Sequence, residues 1–284
     1  MFGFLNVDKP VGITSHDVVS KLRRVLKIKQ IGHTGTLDPF ASGVLPIAIG
    51  KATRLIEYLS DDKAYIATVK FGVETDTYDI EGQILSTSNK KVLEDEVKNA
   101  LKFFEGEIEQ IPPIYSAIKV KGKKLYEYAR AGEEVKLEPR KVVINKIELK
   151  SFDFENQVAQ VYVECSKGTY IRSIAHDLGA KLLCGGHLTE LKRVKAGNFL
   201  IENSIALDDI ALENAGNSLI NPIDVIELFK MDLNEEENIK VSHGQFLRNK
   251  TSLKEDENLI LLYNGYIKSI ACISGDKIKA KKVF

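Results

Sequence analysis

The chain has 284 residues, of which 44% are hydrophobic, and forty Lys plus Arg balance forty Asp plus Glu, for a formal charge of zero. That length and apolar content allow a sizeable core and suit a globular enzyme or binding protein, either one large domain or one domain plus an appendage. Three cysteines, Cys165, Cys184 and Cys272, are too few, too scattered and never spaced as C-x-x-C, which excludes a disulfide framework or zinc knuckle and suits a reducing compartment.

The N-terminal MFGFLNVDKP reaches Asp8 and Pro10 before a signal-peptide apolar core can form, and no apolar run approaches the ~18 residues of a membrane span. A cytoplasmic protein without membrane contact is the expectation. After the Pro10–Gly12 turn, Ser15 is placed to cap a helix whose apolar positions Val18, Val19, Leu22, Val25 and Leu26 recur at helical spacing. Ser15, His16 and Asp17 carry the residue types of a hydrolase triad, but neighbours on a helix point apart and cannot form a relay.

Next comes GHTGTLDPFASGVL, residues 32 to 45. Pro39 pushes Asp38 out of the helical region, and Gly32, Gly35 and Gly43 allow tight backbone paths, so a rigid loop presents a carboxylate. An ordinary Asp-Pro turn is the alternative. The GKAT string at 50–53 lacks the glycine and hydroxyl residue of a nucleotide-binding P-loop, since Leu45 and Ala52 stand there.

AYIATVKFGV (64–73) alternates Tyr65, Ala67, Val69, Phe71 and Val73 against Ile66, Thr68 and Lys70, which predicts a strand. KVLEDEVKNALKFFEG predicts a helix with Leu93, Val97, Leu101 and Phe104 on one face and Gly106 as its stop. From 107 the chain turns basic and loop-rich, with a short helical pattern at 124–130, as an insertion projecting from a sheet would. KVVINKIELKSFDFE and QVAQVYVECS predict a strand pair, and TYIRSIAHDLGAKLL a helix packed back on the sheet through Ile171, Ile174, Ala175, Leu178 and Leu182.

The neutral total conceals two poles. Residues 119–150 hold ten basic side chains against five acidic ones, net +5, whereas 201–238 hold ten acidic ones against Lys230 alone, net −9. The first is a candidate phosphate-contacting face. The second, with short helical pieces predicted at 204–214 and 222–229, reads as a connector to a small β module. There Asn264-Gly265 between two apolar runs is a strong hairpin signal. With five histidines, no H-E-x-x-H and no C-x-x-C, no metal site or cofactor is expected.

The string GHTGTLDPFASGVLPIAIGKATR closely resembles the signature of the tRNA pseudouridine-55 synthases, the bacterial TruB family. VDKPVGITSHDVV, KAYIATVKFGVETDTYDIEG, PPIYSAIKVKGKKLYEYARAG and CSKGTYIRSIAHDLG are similar to that family's other motifs, in its order, over residues 1 to about 200. The resemblance implies an α+β fold: a mixed, largely antiparallel sheet flanked by helices. It also implies a catalytic domain at 1–230 with a basic thumb insertion at about 112–145, and a PUA-like RNA-binding module at 231–284.

By the same resemblance, Asp38 is the nucleophile that isomerises uridine-55 in the T loop of tRNA, attacking the sugar or generating a glycal. Arg172 holds Asp38 and is expected to lower its pKa. Tyr65 stacks on the flipped base, with Tyr170 and Leu191 as further pocket contacts and His33 supporting the vacated space. Read alone, Tyr65 is a strand aromatic, His33 a loop histidine and Leu191 a core residue of an amphipathic helix. Lys121, Lys123 and Lys124 on the thumb are expected to bind T-arm phosphates. The implied protein is a monomer that needs no metal; the rivals are a synthase for another RNA and a tRNA-folding chaperone.

Overall fold

The computed structural model describes residues 1–284 apart from 117, 121, 134 and 136, with the backbone alone of 126 and 130. Strand β1 (Gly3–Lys9) leads to helix α1 (Ser15–Leu26) and then to β2 (Ile31–His33), β3 (Ser42–Ile49) and β4 (Lys63–Phe71). A hairpin of β5 (Val73–Thr75) and β6 (Ile84–Thr87) precedes helix α2 (Glu94–Leu101) and β7 (Gly106–Gln110). The basic insertion then carries a small ladder of β8 (Lys119–Val120) and β9 (Lys123–Lys124) and helix α3 (Leu125–Ala131). Long β10 (Arg140–Asp153), β11 (Val158–Cys165), helix α4 (Ile171–Lys181) and β12 (Gly186–Ala196) complete this part.

These strands form a ten-stranded sheet in the order β1, β3, β12, β4, β11, β10, β7, with β2 beside β3. Two short strands, β13 (Phe199–Leu200) beside β12 and β14 (Ile205–Ala206) beside β1, finish it. Most pairings are antiparallel, but β12 runs parallel to β3 while antiparallel to β4. A strand late in the sequence therefore joins two earlier groups of strands.

The physical reasons for the elements are mostly local. Val18, Val19, Leu22 and Leu26 of α1 are all buried, and each such side chain contributes about 1.5–3 kcal/mol. Strand β4 buries Tyr65, Ala67, Val69 and Phe71 and ends at Gly72. Helix α4 crosses so close to β12 that a Cβ on Gly179 would lie 2.2 Å from the Gly186 nitrogen, so this contact needs glycine. The α+β architecture, a mixed and largely antiparallel sheet with helices against it, agrees with the expected fold class.

After helix α5 (Pro222–Val225) comes β15 (Phe229–Asp232), the edge of a second, five-stranded sheet. Helix α6 (Glu235–Ser242) and strands β16 (Leu247–Arg248), β17 (Asn258–Tyr263), β18 (Tyr266–Ser274) and β19 (Lys277–Val283) follow. Asn264 and Gly265 join β17 to β18 with φ of 50° and 77°, the left-handed pair of a type I′ turn. The second sheet is not independent: Ile260, Leu262, Ile267 and Ile270 share one apolar cluster with Phe4, Val44, Ala48 and Leu55 of the first.

Four expectations need correction. Thr14, not Ser15, caps α1: its Oγ1 accepts from the Asp17 amide at 3.1 Å while Asp17 Oδ2 accepts from the Thr14 amide at 2.9 Å. Leu93 precedes α2 and is exposed, and Val92 is buried in its place. The 204–214 helix is instead β14 and a 3-10 turn at Leu207–Asp209, because Ile205 and Ala206 pair with β1. Leu191 lies on strand β12, not on a helix.

Candidate active site

Asp38 stands on the loop between β2 and β3, and this loop is tied down from several sides. The Ser15 hydroxyl accepts from the Leu37 amide at 2.8 Å and donates to the Leu37 carbonyl at 3.2 Å. The Asp38 carbonyl accepts from the Ala41 amide at 3.1 Å, closing an Asp-Pro turn. Beneath it, the solvent-inaccessible Lys9 donates to the carbonyls of Pro10, Ile13 and Pro39 at 2.8, 2.7 and 3.4 Å. Arg193, 1% exposed, donates to the carbonyls of Val44, Thr36 and Gly35 at 2.7, 3.4 and 3.1 Å. Gly43, at φ 103°, faces Arg193 so closely that a Cβ would lie 2.2 Å from its carbonyl oxygen. Two buried cations thus hold the loop through backbone oxygens.

Arg172, in the first turn of α4, meets the Asp38 carboxylate twice: Nε lies 3.1 Å from Oδ2 and Nη2 donates to Oδ1 at 3.4 Å. Its other N–H groups reach Asp79 Oδ2 at 3.2 Å, the Thr77 carbonyl at 3.3 Å and the Tyr115 carbonyl at 3.0 Å. Four hydrogen bonds from Nη1 and Nη2 and the Nε ion pair therefore hold the fork. Asp79 is buried and is held in turn by the Thr77 hydroxyl at 2.6 Å and the Glu81 amide at 3.1 Å, both on Oδ1.

Asp38 opens onto a cavity of about 470 Å³, within the usual range for a small-ligand site. Tyr65, Tyr170 and Leu191 line it together with Tyr115, Lys63 and Arg193. Tyr170 is the N-cap of α4, and its amide and carbonyl are clasped by the buried Gln110 side chain at 2.8 and 3.0 Å. Four expected residues, Asp38, Arg172, Tyr65 and Tyr170, and Leu191 as a fifth, thus meet around one space.

Burial pushes the Asp38 carboxyl above the ordinary carboxylate range; Arg172 draws it back, Asp79 raises it and Lys9 lowers it. The expectation that Arg172 sets a lowered value is corrected: desolvation outweighs the guanidinium. The side chain remains 36% exposed toward the cavity, so the desolvation comes from a crowded surround rather than from closure. Burial also raises the Tyr65 phenol and lowers Lys63, and it takes Lys9 down to about 8.

Other expected residues lie apart from the cavity. His33, at the end of β2, has a buried Nδ1 with no hydrogen-bond partner among the described residues, and burial lowers its pKa. Lys123 pairs with Glu133 at 2.7 Å and lies over the Tyr128 ring, Lys124 precedes α3, and Lys121 falls outside the described residues. Among the described residues no group of three or more His, Cys, Asp or Glu is placed to hold a metal ion, and no helix is long and apolar enough to cross a membrane. The three cysteines are buried and unpaired.

Sequence reasoning missed Asp79, Lys9 and Arg193. Arg193 shares the inward face of β12 with Leu191, two residues before it, a relation that becomes visible only once this segment is known to be a strand. Asp79 had no readable signal, because its partner is 93 positions away.

Residues 23–171 match the model described as the TruB family pseudouridylate synthase N-terminal domain, and 172–226 match the tRNA pseudouridylate synthase B C-terminal domain. The chain is 43% identical to the tRNA pseudouridine synthase B of Caldanaerobacter subterraneus subsp. tengcongensis over 99% of both chains. It is 50% identical to that of Clostridium tetani over 78% of this chain and 76% of the other. Among solved structures, a chain of a Cbf5-Nop10-Gar1 complex superposes with a TM-score of 0.75 at 27% identity, covering 99% of this chain and 84% of that one. With so extensive a match in sequence, supported by the fold, the carboxylate-lined cleft has its lineage: the chain belongs to the TruB family of pseudouridylate synthases.

Proposed function

We propose that the protein converts uridine-55 in the T loop of tRNA to pseudouridine. The observation that carries this reading is the two-point contact between Arg172 and Asp38 at a cavity walled by Tyr65, Tyr170 and Leu191. The reaction breaks the N1–C1′ bond, rotates the base and joins C5 to C1′, while the C5 hydrogen leaves as a proton; nothing is oxidised and no co-reactant is consumed. The ionised Asp38 either attacks C1′ or removes a sugar proton to give a glycal, and both routes need the fixed carboxylate that Arg172 holds. Because the target lies in a folded RNA, the nucleotide is flipped out, and Tyr65 supplies the surface on which the base stacks.

In this reading the catalytic unit is residues 1–230, the insertion at 112–145 closes on the T arm through basic side chains, and 231–284 form a PUA-like RNA-binding module. The enzyme works as a cytoplasmic monomer. The Tyr115 carbonyl, at the base of the insertion, accepts from Arg172, which supports a link between RNA capture and the reacting carboxylate. The test is release of tritium from C5 of a T-arm stem-loop. Wild-type protein should release it only when the loop uridine is present, and Asp38→Asn should bind the loop yet release none. Tight binding without release by the wild type would favour another RNA substrate or a chaperone.

A further inference from the structure

Helix α4 grips the turn between β5 and β6 at two levels. Arg172 holds the Thr77 carbonyl and Asp79, as described above; one turn later, on the same face of the helix, His176 stacks on the ring of Tyr78. The ring centroids are 3.9 Å apart and the planes differ by 17°. His176 Nδ1 also lies 3.5 Å from Glu74 Oε1, on β5. Tyr78 therefore sits between the two atoms by which its own turn holds Arg172.

The backbone of Tyr78 is in the left-handed region, with φ of 64°. For a bulky non-glycine residue this conformation is strained and persists only where the surroundings over-determine it. Here the Tyr78 carbonyl accepts from the Leu188 amide at 3.0 Å and its amide donates to the Thr75 carbonyl at 3.3 Å. Both bonds hold the peptide groups and leave the ring's placement to His176. The Thr75 hydroxyl closes the turn by donating to the Asp79 carbonyl at 2.8 Å.

We propose that Tyr78 and His176 are positioning residues for the reaction: their stack pins the 76–82 turn to α4 and so keeps Asp79 and the Thr77 carbonyl on Arg172, and Arg172 on Asp38. The inference rests on Asp38 and Arg172 acting as described under Proposed function. A loose turn lets the guanidinium fork drift, and reaction geometries lose rate steeply with small displacements.

The test is single-turnover tritium release from the T-arm stem-loop across pH, with loop affinity and thermal unfolding measured on the same proteins. Tyr78→Gly removes the ring while suiting the positive φ, and His176→Ala removes the other partner. Each should lower the single-turnover rate about 10- to 100-fold with loop affinity unchanged, and Tyr78→Phe should restore the rate. The double variant should be no slower than the slower single one, because the two act through one contact. Asp38 is faced by Arg172 from α4, Asp79 from the turn, Lys9 from β1 and Tyr65 from β4, and Arg172, 3.1 Å away, is the strongest of these in favouring its ionised form. Loosening Arg172 should therefore move the acid limb of the rate profile to higher pH.

Rates within twofold of wild type for Tyr78→Gly and His176→Ala would overturn the proposal. So would a rate loss matched by the unfolded fraction with the acid limb unmoved, which is the signature of a merely structural pair. Asp38→Asn run alongside separates the two levels: undiminished release from it sinks the site reading itself, whereas its inactivity beside unaffected stack variants sinks only this inference.

Discussion

Strand β3 borders two buried regions, and they teach different things. From its loop end, the buried neighbours of Asp38 are charged: Lys9, Asp79, Arg172 and Arg193 are each at most 6% exposed. On its other side, Val44 and Ala48 join Phe4, Leu55 and the second sheet's Ile260 and Ile270 in an apolar seam. Burying apolar area stabilises in proportion to the area, whereas burying charges costs desolvation that their partners only offset. The seam is thus explained by stability alone. The cleft is not; its buried charges accord with the chemistry proposed for it.

Breaking each region separately should make the difference visible. Asp38→Asn is expected to lower turnover by on the order of 10³-fold or more, with unfolding temperature and loop affinity almost unchanged. Phe4→Ala, in the seam, should do the reverse: a loss of about 3–5 kcal/mol in unfolding free energy, read by denaturant titration, with turnover per folded molecule retained. An Asp38→Asn protein that melts early, or a Phe4→Ala protein that stays folded and loses turnover, would erase the distinction.

A pH series sharpens the comparison with a smaller effect. In the proposed reaction Asp38 acts ionised, and burial raises its pKa, so the rate should fall about tenfold per unit as pH drops below that raised value. That loss begins at a pH where exposed carboxylates remain charged and the apolar seam is indifferent. A rate profile flat through the acid range, measured by single turnover, would remove Asp38 from the chemistry. The smallest effect belongs to the basic insertion. Lys123→Gln loses a partly exposed ion pair with Glu133 and a cation–π contact with Tyr128, so stability should shift by about 1 kcal/mol or less. If Lys123 meets a phosphate, the slope of log affinity against log salt should flatten by about one unit. An unchanged slope would move the phosphate face elsewhere.

What the sequence disclosed follows the range of each cause. Periodicity over a few residues was enough for α1, α4 and β4, whose alternation runs from Tyr65 to Phe71, and Asn264-Gly265 specified its turn by backbone preference alone. Motif resemblance singled out Asp38, Arg172 and Tyr65, which the fold brings to one cavity. The direction of the Asp38 pKa was not legible, because desolvation depends on neighbours from β1, α4 and the 76–82 turn at once. Leu191 was misplaced on a helix because LTELKRVKA mixes apolar and charged residues without a clean period, and only pairing to both β3 and β4 makes it a strand. Ser15 was read as a cap because its local setting gave no hint of Leu37, 22 residues on.

The late strand β12 has a consequence for how the molecule comes into being. Strands β3 and β4 are not neighbours in the sheet; β12, synthesised more than a hundred residues later, is the wedge that lies between them and joins them. Asp38 and Arg172 are 134 positions apart, and the loop-closure entropy of that separation is met only when the wedge inserts. On a ribosome, Asp38 and Arg172 should therefore become a pair only after the chain has been extruded past β12. In refolding from denaturant, helix and strand signals should return before the capacity to turn over RNA.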